Sequence, residues 1–299
     1  MGEKNERISS RPGRKVSVMS VRIITDSGFD IPDQSDPRLT VLPLGITFGE
    51  TTYADGVDLT NDRFYELLIE SDELPKTSQA TPYAYQQVFD QVRAAGEEAV
   101  VITLSSALSG TYQSALTAAA DYPEVHVVDG KNATIGQGIL VLYALRLTDE
   151  GLGATEIAEK VEAAVDRVCL LALLDTLEFL KRGGRIPKSV GTIGELLSIK
   201  PVVGVRDGEV VMLGKARGSK NGRNQLHQQV EKFGIDFTMP VLLGYTGLSQ
   251  KLLKKYLDDN RAIWEDVVAE EDLPITSVGA TIGTHVGPNA IALAFFAKN

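Results

Sequence analysis

One stretch in the first half of the chain constrains the fold more than any other. Ala99–Leu104 (AVVITL) is apolar and rich in β-branched side chains, which is typical of a buried strand. Thr111–Ala120, made largely of Ala, Leu, Gln and Ser, predicts a helix. Between them lies Ser105–Gly110, a short loop with three serines and a glycine. A strand that leads into a helix in this way predicts a sheet covered by helices.

The alternation of strands and helices continues on both sides of this unit. Strands are predicted at Val21–Thr25 and Val125–Val128, and helices at Ile135–Leu147 and Thr155–Val165. The N-terminal part is therefore predicted to be a mainly parallel sheet with flanking helices. Ligands bind to such sheets at the carboxyl ends of the strands.

The C-terminal part shows a different pattern. Asp207-Gly208, inside PVVGVRDGEVVML, predicts a hairpin with a type I′ turn. Because β-α units and an apolar helix over Ser189–Ile199 accompany it, we expect a mixed sheet in an α+β domain. The predicted domains are 21–170 and 171–299, after a polar N-terminal extension, 1–20, that we expect to be disordered.

Charge and composition argue against several classes of partner. The 299-residue chain has a formal net charge of −10, which disfavours nucleic acid and anionic membrane surfaces. No apolar run reaches the ~18 residues of a membrane span, so we expect no stable membrane insertion. The one cysteine, Cys169, cannot form an intrachain disulfide, and a cytoplasmic location is the simplest inference.

Several catalytic motifs are absent from the sequence. It has no GxxxxGK[ST] phosphate loop, no HExxH, no paired cysteines and no GxSxG. Asp26, Asp55 and Asp58 could hold a metal, but they lie in predicted turns, where aspartate is common. We therefore predict neither a metal site nor a cofactor.

Three other features carry possible chemistry. The start of the helix after Ser109 would direct unpaired N–H groups at one point, which suits an anion, although Ser109 could instead be an ordinary N-cap. His285, in a GTHVGP segment expected to be a loop between strands, either faces a ligand or is structural. In KRGGR, Arg182 and Arg185 flank two glycines. The two arginines could bind a phosphate or a partner, or the segment could be a helix end with two solvated arginines.

Taken together, the motifs resemble those of the DegV family, fatty-acid-binding proteins that serve as binding subunits of bacterial fatty acid kinase. The resemblance begins near Val21 and extends to the C-terminus. TSQ, SGTY, KRGGRI and GTHVGP in this order are specific, although each alone is weak. The matching stretches are IITDSGFDIP, VLPLGITFG, YADGVDLTNDRFYELL, LPKTSQATP, ITLSSALSGTYQSA, LLDTLEFLKRGGRI, LLSIKPVVGVRDGEV and IGTHVGPNAIALAF.

The resemblance implies two α/β domains with a fatty acid held between them, and no catalytic residue in this chain. A separate ATP-dependent kinase would phosphorylate the bound carboxylate to an acyl phosphate. The implied partner-binding residues are Arg185 and, more loosely, Arg217. The implied ligand-binding residues are Thr77, Ser78, Ser109, Gly110, Arg182, Thr284 and His285.

The residues themselves leave alternatives open. Leu170–Leu174, Ile193–Ile199 and Ile291–Phe296 could line an acyl tunnel or form ordinary core. A lipid hydrolase or acyltransferase would use Ser109 as nucleophile and His285 as base. A third possibility is a lipid reservoir that has no kinase partner.

Overall fold

A computed structural model describes residues 20–71, 73–187, 199–267, 269 and 272–298. The N-terminal extension, apart from residue 20, and the apolar helix over Ser189–Ile199, apart from Ile199, lie outside the described residues.

The predicted parallel sheet is confirmed in the N-terminal part. Its strands run in the order β2 (Leu39–Leu42), β1 (Val21–Asp26), β6 (Glu98–Thr103) and β7 (Val125–Asp129), and all neighbours are parallel. The loop Ser105–Gly110 follows β6, at the carboxyl end of the sheet, where ligands bind in folds of this kind.

A small antiparallel sheet accompanies the parallel one. It consists of β4 (Thr51–Ala54), β3 (Gly45–Phe48) and β5 (Lys76–Ser78). The segment Arg38–Phe48 is divided between β2 and β3, which belong to different sheets. Thr77 lies in β5, where hydrogen bonds to β3 hold its backbone.

The C-terminal sheet is mixed, as predicted. The strand order, from one edge to the other, is β10 (Glu209–Arg217), β9 (Ile199–Arg206), β8 (Val168–Leu173), β13 (Ile291–Phe296), β11 (Leu242–Tyr245) and β12 (Ile275–Ser277). Only β11 and β12 are parallel neighbours. Asp207 and Gly208 both have positive φ, +50° and +81°, as the type I′ turn of the predicted hairpin requires.

Local sequence signals set several helix ends. The Thr60 and Thr81 hydroxyls accept hydrogen bonds from the N–H groups of Arg63 and Ala84, and Gly96 ends its helix with φ of +67°. The helices are α1 (Asn61–Glu70), α2 (Pro82–Ala95), α3 (Thr111–Ala119), α4 (Thr134–Asp149), α5 (Ala154–Val165), α6 (Glu178–Arg182), α7 (Ser219–Phe233), α8 (Lys251–Asp259), α9 (Ala280–Val286) and a 3-10 turn at Arg261–Ile263.

Helix α4 lies between the two larger sheets. It packs against β1 and β6 on one side and against β11 and β13 on the other. All of its residues from Thr134 to Val141 are buried, so its first two turns have no solvent face. One apolar cluster therefore joins residues of both sheets, including Ile23, Val100 and Phe296.

Candidate functional site

The loop after β6 is held in place by its first serine. The Ser105 hydroxyl donates to the carbonyl O of Gly208, 2.7 Å away, at the turn of the β9–β10 hairpin. The Ser105 carbonyl accepts from the N–H of Leu108 (3.0 Å) and of Ser109 (3.1 Å). Hydrogen bonds within the loop and one to the C-terminal hairpin thus fix the backbone that leads into α3.

The start of α3 carries no side-chain cap. Gly110 occupies the N-cap position, one residue later than the alternative with Ser109 as N-cap expected. The Ser109 hydroxyl instead lies 3.0 Å from Oγ1 of Thr111 and accepts from the Thr111 N–H at 3.3 Å. The remaining N–H groups of the first turn have no intrahelical acceptor, so this end of the nine-residue helix suits an anion.

Strand β5 and helix α9 bring Thr77 and His285 together. Oγ1 of Thr77 lies 3.0 Å from Nε2 of His285, although the two residues are far apart in sequence. The expectation that GTHVGP forms a loop is wrong, because His285 lies in the last turn of α9.

Buried aspartates of the N-terminal part hold the start of α9. The Gly279 N–H donates to Oδ1 of Asp30 at 2.7 Å. The N–H and hydroxyl of Thr281 donate to Oδ2 of Asp55 at 3.0 and 2.5 Å. Burial raises the pKa of Asp30 to about 7 and also raises that of Asp55. These carboxyl groups bind backbone and hydroxyl groups, so they serve as structural anchors.

His285 is neutral at physiological pH. Burial, and to a smaller extent the nearby positive charge of Arg185, lower its pKa to about 4. Gly183 approaches so closely that a Cβ at this position would collide with Nδ1 of His285. The KRGGR and GTHVGP segments are therefore in direct contact at this point.

Nδ1 of His285 is buried and has no hydrogen-bond partner among the described residues. In the part of the chain that the structure describes, there is also no hydrogen bond between His285 and Ser109. A serine hydrolase needs both a base on the nucleophile and a group that orients the base. Within the described ranges, the arrangement contains neither of these two hydrogen bonds.

The two arginines of KRGGR occupy different environments. Arg185 lines the cavity described below, where its Nε donates to the Leu108 carbonyl (3.2 Å) and its Nη1 to the Gly183 carbonyl (2.6 Å). Arg182 is exposed and pairs with Glu178 at 2.8 Å. The structure thus places Arg185, and not the expected Arg182, beside the serine loop.

Arg217 is remote from this group. It is exposed at the end of β10, whereas the hairpin turn that contacts Ser105 lies at the other end of the strand, ~26 Å away for eight residues of rise. The geometry does not bring Arg217 to the cavity.

A mainly apolar cavity of about 360 Å³ opens beside these polar groups. Thr77, Ser109, Gly110 and His285 lie in its wall, and so does Ser78. Thr284 does not, because it is buried and donates to the Ala280 carbonyl at 2.9 Å. Gln79, from the TSQ motif, and Thr281 also line the cavity and were not predicted as ligand residues.

Every second residue along strand β8 contributes to the apolar wall of the cavity. Leu170, Ala172 and Leu174 face the cavity, whereas Leu171 and Leu173 pack in a separate cluster on the other side of the sheet. Ile291 and Ala292 of β13 also line the cavity. The segments Leu170–Leu174 and Ile291–Phe296 thus each contribute both wall residues and core residues. Of the third expected segment, residues 193–198 lie outside the described residues.

Within the residues that the structure describes, no group of three or more His, Cys, Asp or Glu side chains could hold a metal ion. No helix in the same ranges has the length and apolarity needed to cross a membrane.

Comparison with known proteins gives a consistent result. A family model described as "Uncharacterised protein, DegV family" matches residues 20–298. A DegV domain-containing protein of Caldanaerobacter subterraneus is 33% identical over 282 residues, covering 93% of this chain and 99% of the relative.

Solved structures of similar proteins have the same fold. A fatty-acid-binding DegV family protein from Thermus thermophilus superposes with a TM-score of 0.83 at 28% identity, covering 94% of this chain and 100% of the other. A stearic-acid-binding protein from Eubacterium ventriosum gives a TM-score of 0.80 at 26% identity, with 93% and 98% covered.

Proposed function

Because the chain belongs to the DegV family, we propose that it binds a long-chain fatty acid and presents the carboxylate to a separate ATP-dependent kinase. The observation that carries the binding proposal is the apolar cavity whose wall includes a cluster of hydroxyl and N–H groups beside one arginine. A molecule with one anionic end and a long apolar remainder fits both features.

The polar end of the cavity suits a carboxylate. A carboxylate only accepts hydrogen bonds, so it needs donors. Neutral His285 can donate from Nε2 to the Thr77 oxygen, which leaves the Thr77 hydroxyl proton free for the ligand. The Ser109 hydroxyl and the N–H of Gly110 would supply further donors, and Arg185 would supply positive charge.

The apolar walls suit an acyl chain. Each methylene group that leaves water contributes ~0.8 kcal/mol, so several buried methylenes are enough for tight binding without a strong head-group interaction. The walls come from several elements, and their side chains include Leu170, Leu174, Val203 and Ile282.

The phosphoryl transfer is assigned to a partner because the sequence contains no GxxxxGK[ST] phosphate loop. The exposed side of KRGGR is the proposed docking region, because Arg182 is exposed there and Arg185 reaches from the same segment into the cavity. Arg217, exposed at the end of β10, is a second and separate candidate for a contact with the kinase.

Mass spectrometry of an organic extract of the purified protein tests the binding proposal. We expect intact fatty acid in near-stoichiometric amount and no acyl group attached to Ser109. An extract without fatty acid, from protein that also fails to take up added fatty acid, would contradict the proposal.

A reconstituted reaction tests the division of labour. The protein loaded with fatty acid is incubated with ATP, alone and together with the kinase subunit of a fatty acid kinase. We expect acyl phosphate only in the second reaction. Efficient formation by this chain alone, or none with any kinase subunit, would count against the partner assignment.

A further inference from the structure

The C-terminal sheet is split along part of its length. β8 and β9 pair from Leu173 with Val202 to Leu171 with Gly204, and their pairing ends there. Beyond this point β8 continues beside β13, and β9 continues to Arg206 beside β10. A gap therefore opens in the sheet, with Leu170 on one side and Val205 on the other.

Cavities meet this gap from both faces of the sheet. The cavity with the head-group site reaches Leu170, Gly204 and Val205 on the inner face. A second cavity of about 440 Å³, hereafter the cleft, is lined by the same three residues and extends to Leu171 and Leu213 on the outer face. Leu170, Gly204 and Val205 thus form a thin partition between the two spaces.

Gly204 keeps this partition thin. A Cβ at this position would lie 2.8 Å from Cδ1 of Leu213 and 3.0 Å from the Leu170 carbonyl O. No side chain of β9 therefore fills the gap at its narrowest point, and the side chains of Leu170 and Val205 decide whether the two spaces are connected.

The cleft is suited to an apolar chain end that reaches water. Its apolar surface includes Leu171, Leu213 and Phe233, and Lys131, Asp166 and Arg206 stand among its lining residues. An apolar floor beside charged groups can hold the end of a chain that emerges from the interior.

Strand β8 runs from the head-group side of the cavity to the partition. Leu174 clusters with Leu180 and Ala290, and Leu108 of the serine loop packs against this cluster. Leu170, four residues away, lies about 13 Å further along the strand. A ligand whose carboxylate is held at Ser109 would therefore extend its tail along β8 toward the gap.

We propose that the acyl cavity has a second opening through the sheet between β8 and β9, where the tail end of the longest bound chains emerges into the cleft. This inference rests on the proposed fatty-acid binding. It makes Leu170 and Val205 the residues that limit chain length.

Photo-crosslinking with a series of saturated fatty acids of increasing length, each with a diazirine at its terminal carbon, tests the proposal. We expect short members to label cavity residues such as Ala172. The longest members that bind should label Leu213 or Phe233 in the cleft, and peptide mass spectrometry identifies the labelled residue.

A matched pair of variants isolates the partition. Leu170→Ala removes a side chain from the partition, whereas Leu173→Ala removes the same atoms from a buried residue of the same strand that lines neither space. We expect Leu170→Ala to raise cleft labelling severalfold and to shift the bound fatty acids toward longer chains. Leu173→Ala should leave the lengths unchanged. Val205→Phe, which enlarges a partition side chain, should shift the lengths toward shorter chains.

Two different results would overturn the inference, and they distinguish failure of the second opening from failure of fatty-acid binding. If even the longest bound probes label only cavity residues or the region around Ser109, the second opening does not exist, although fatty-acid binding stands. If no probe binds or labels any residue, the proposed fatty-acid binding fails and the second opening fails with it.

Discussion

At the scale of single residues, the head-group site relies on hydroxyl and backbone N–H donors, with one arginine beside them. Thr77 and Ser109 already have protein partners, His285 and Thr111, which fix the direction of their hydroxyl groups. Preorganised donors of this kind need little reorganisation when an anion binds, so each of them should contribute measurably to affinity.

Ser109→Ala should weaken fatty-acid binding by about 1–3 kcal/mol, roughly fivefold to 150-fold in Kd, because a buried charged acceptor would lack one donor. Isothermal titration of delipidated protein measures the change. Ser106→Ala is the matched control, since Ser106 is exposed in the same loop and does not line the cavity. Equal affinities of the two variants would contradict the head-group assignment.

Arg185→Ala should raise the pKa of His285, because it removes the positive charge that, after burial, holds this pKa low. It should also weaken fatty-acid binding roughly fivefold or more, since hydrogen bonds to charged groups contribute ~1.5–3 kcal/mol when buried and less where water has access. NMR titration of the imidazole and a binding assay provide the two readouts.

Arg182→Ala serves as the comparison for Arg185→Ala. Arg182 pairs with Glu178 at the surface, so its removal should change neither the pKa of His285 nor the affinity for fatty acid. A larger effect of Arg182→Ala than of Arg185→Ala on binding would contradict the role of Arg185 and support the head-group role that the resemblance implies for Arg182.

At the scale of elements, α9 carries the functional histidine but depends on residues far away in the chain. It is only seven residues long and contains Gly283, whose missing side chain allows close contact with Phe64 and Tyr65 of α1. Asp30 and Asp55 supply acceptors for its first N–H groups. Isolated helices of this length are unstable, so these tertiary contacts determine its conformation.

The anchor at Asp30 predicts a pH dependence of stability. Burial raises the pKa of Asp30 from its ordinary 3.8 to about 7, so ionisation is more costly in the folded than in the unfolded chain. The contribution of Asp30 to the free energy of unfolding should therefore fall between about pH 4 and pH 7 and stay constant above. Urea denaturation of the wild type and of Asp30→Asn at several pH values measures it as the difference between the two proteins.

Asp33→Asn provides a control of opposite sign. Asp33 is exposed, and the hydrogen bonds from Ser35 lower its pKa, so its contribution to stability should rise with pH as it ionises. A difference between wild type and Asp30→Asn that grows with pH would contradict the assignment of a raised pKa to Asp30.

At the scale of the whole molecule, the buried α4 joins the two larger sheets. The domain boundary predicted near 170 falls in β8, whose residue Leu170 belongs to the same apolar cluster as Ile23 of β1 and Ile139 of α4. Because one core connects both parts, we expect the chain to unfold as one cooperative unit.

Gly138→Ala tests this coupling. Alanine normally favours a helix by ~1 kcal/mol over glycine, but a Cβ at Gly138 would overlap the Asp30 carbonyl O and lie 3.0 Å from Cδ1 of Leu242. We expect a net loss of about 1–3 kcal/mol in the free energy of unfolding from overpacking. The fluorescence of Trp264, which packs with the C-terminal sheet, and far-UV circular dichroism should show the same shifted midpoint.

Gly153→Ala is the control for crowding, because the nearest atom to its Cβ would be Oε2 of Glu98 at 3.8 Å. Gly153 is the N-cap of α5, where alanine is less favourable than glycine, so we expect a loss of no more than ~1 kcal/mol. Separate midpoints for the two probes in Gly138→Ala would instead show that the two parts unfold independently.

The sequence alone determined the features that arise from neighbouring residues. Thr60 and Thr81 begin helices, Asp207-Gly208 turns a hairpin, and the β-branched run after Ala99 forms a strand, since capping, turn geometry and side-chain alternation act within a few residues. The motifs in order were also enough to identify the family.

Only the tertiary structure decided the features that depend on distant contacts. It placed α4 between two sheets, put the first four residues of GTHVGP in a helix held by Asp30 and Asp55, and put Arg185 rather than Arg182 at the cavity. The two arginines have the same side chain and lie three residues apart, so composition and spacing could not separate them. Their positions follow from where the chain turns at Gly183 and Gly184, where Gly183 packs directly on His285.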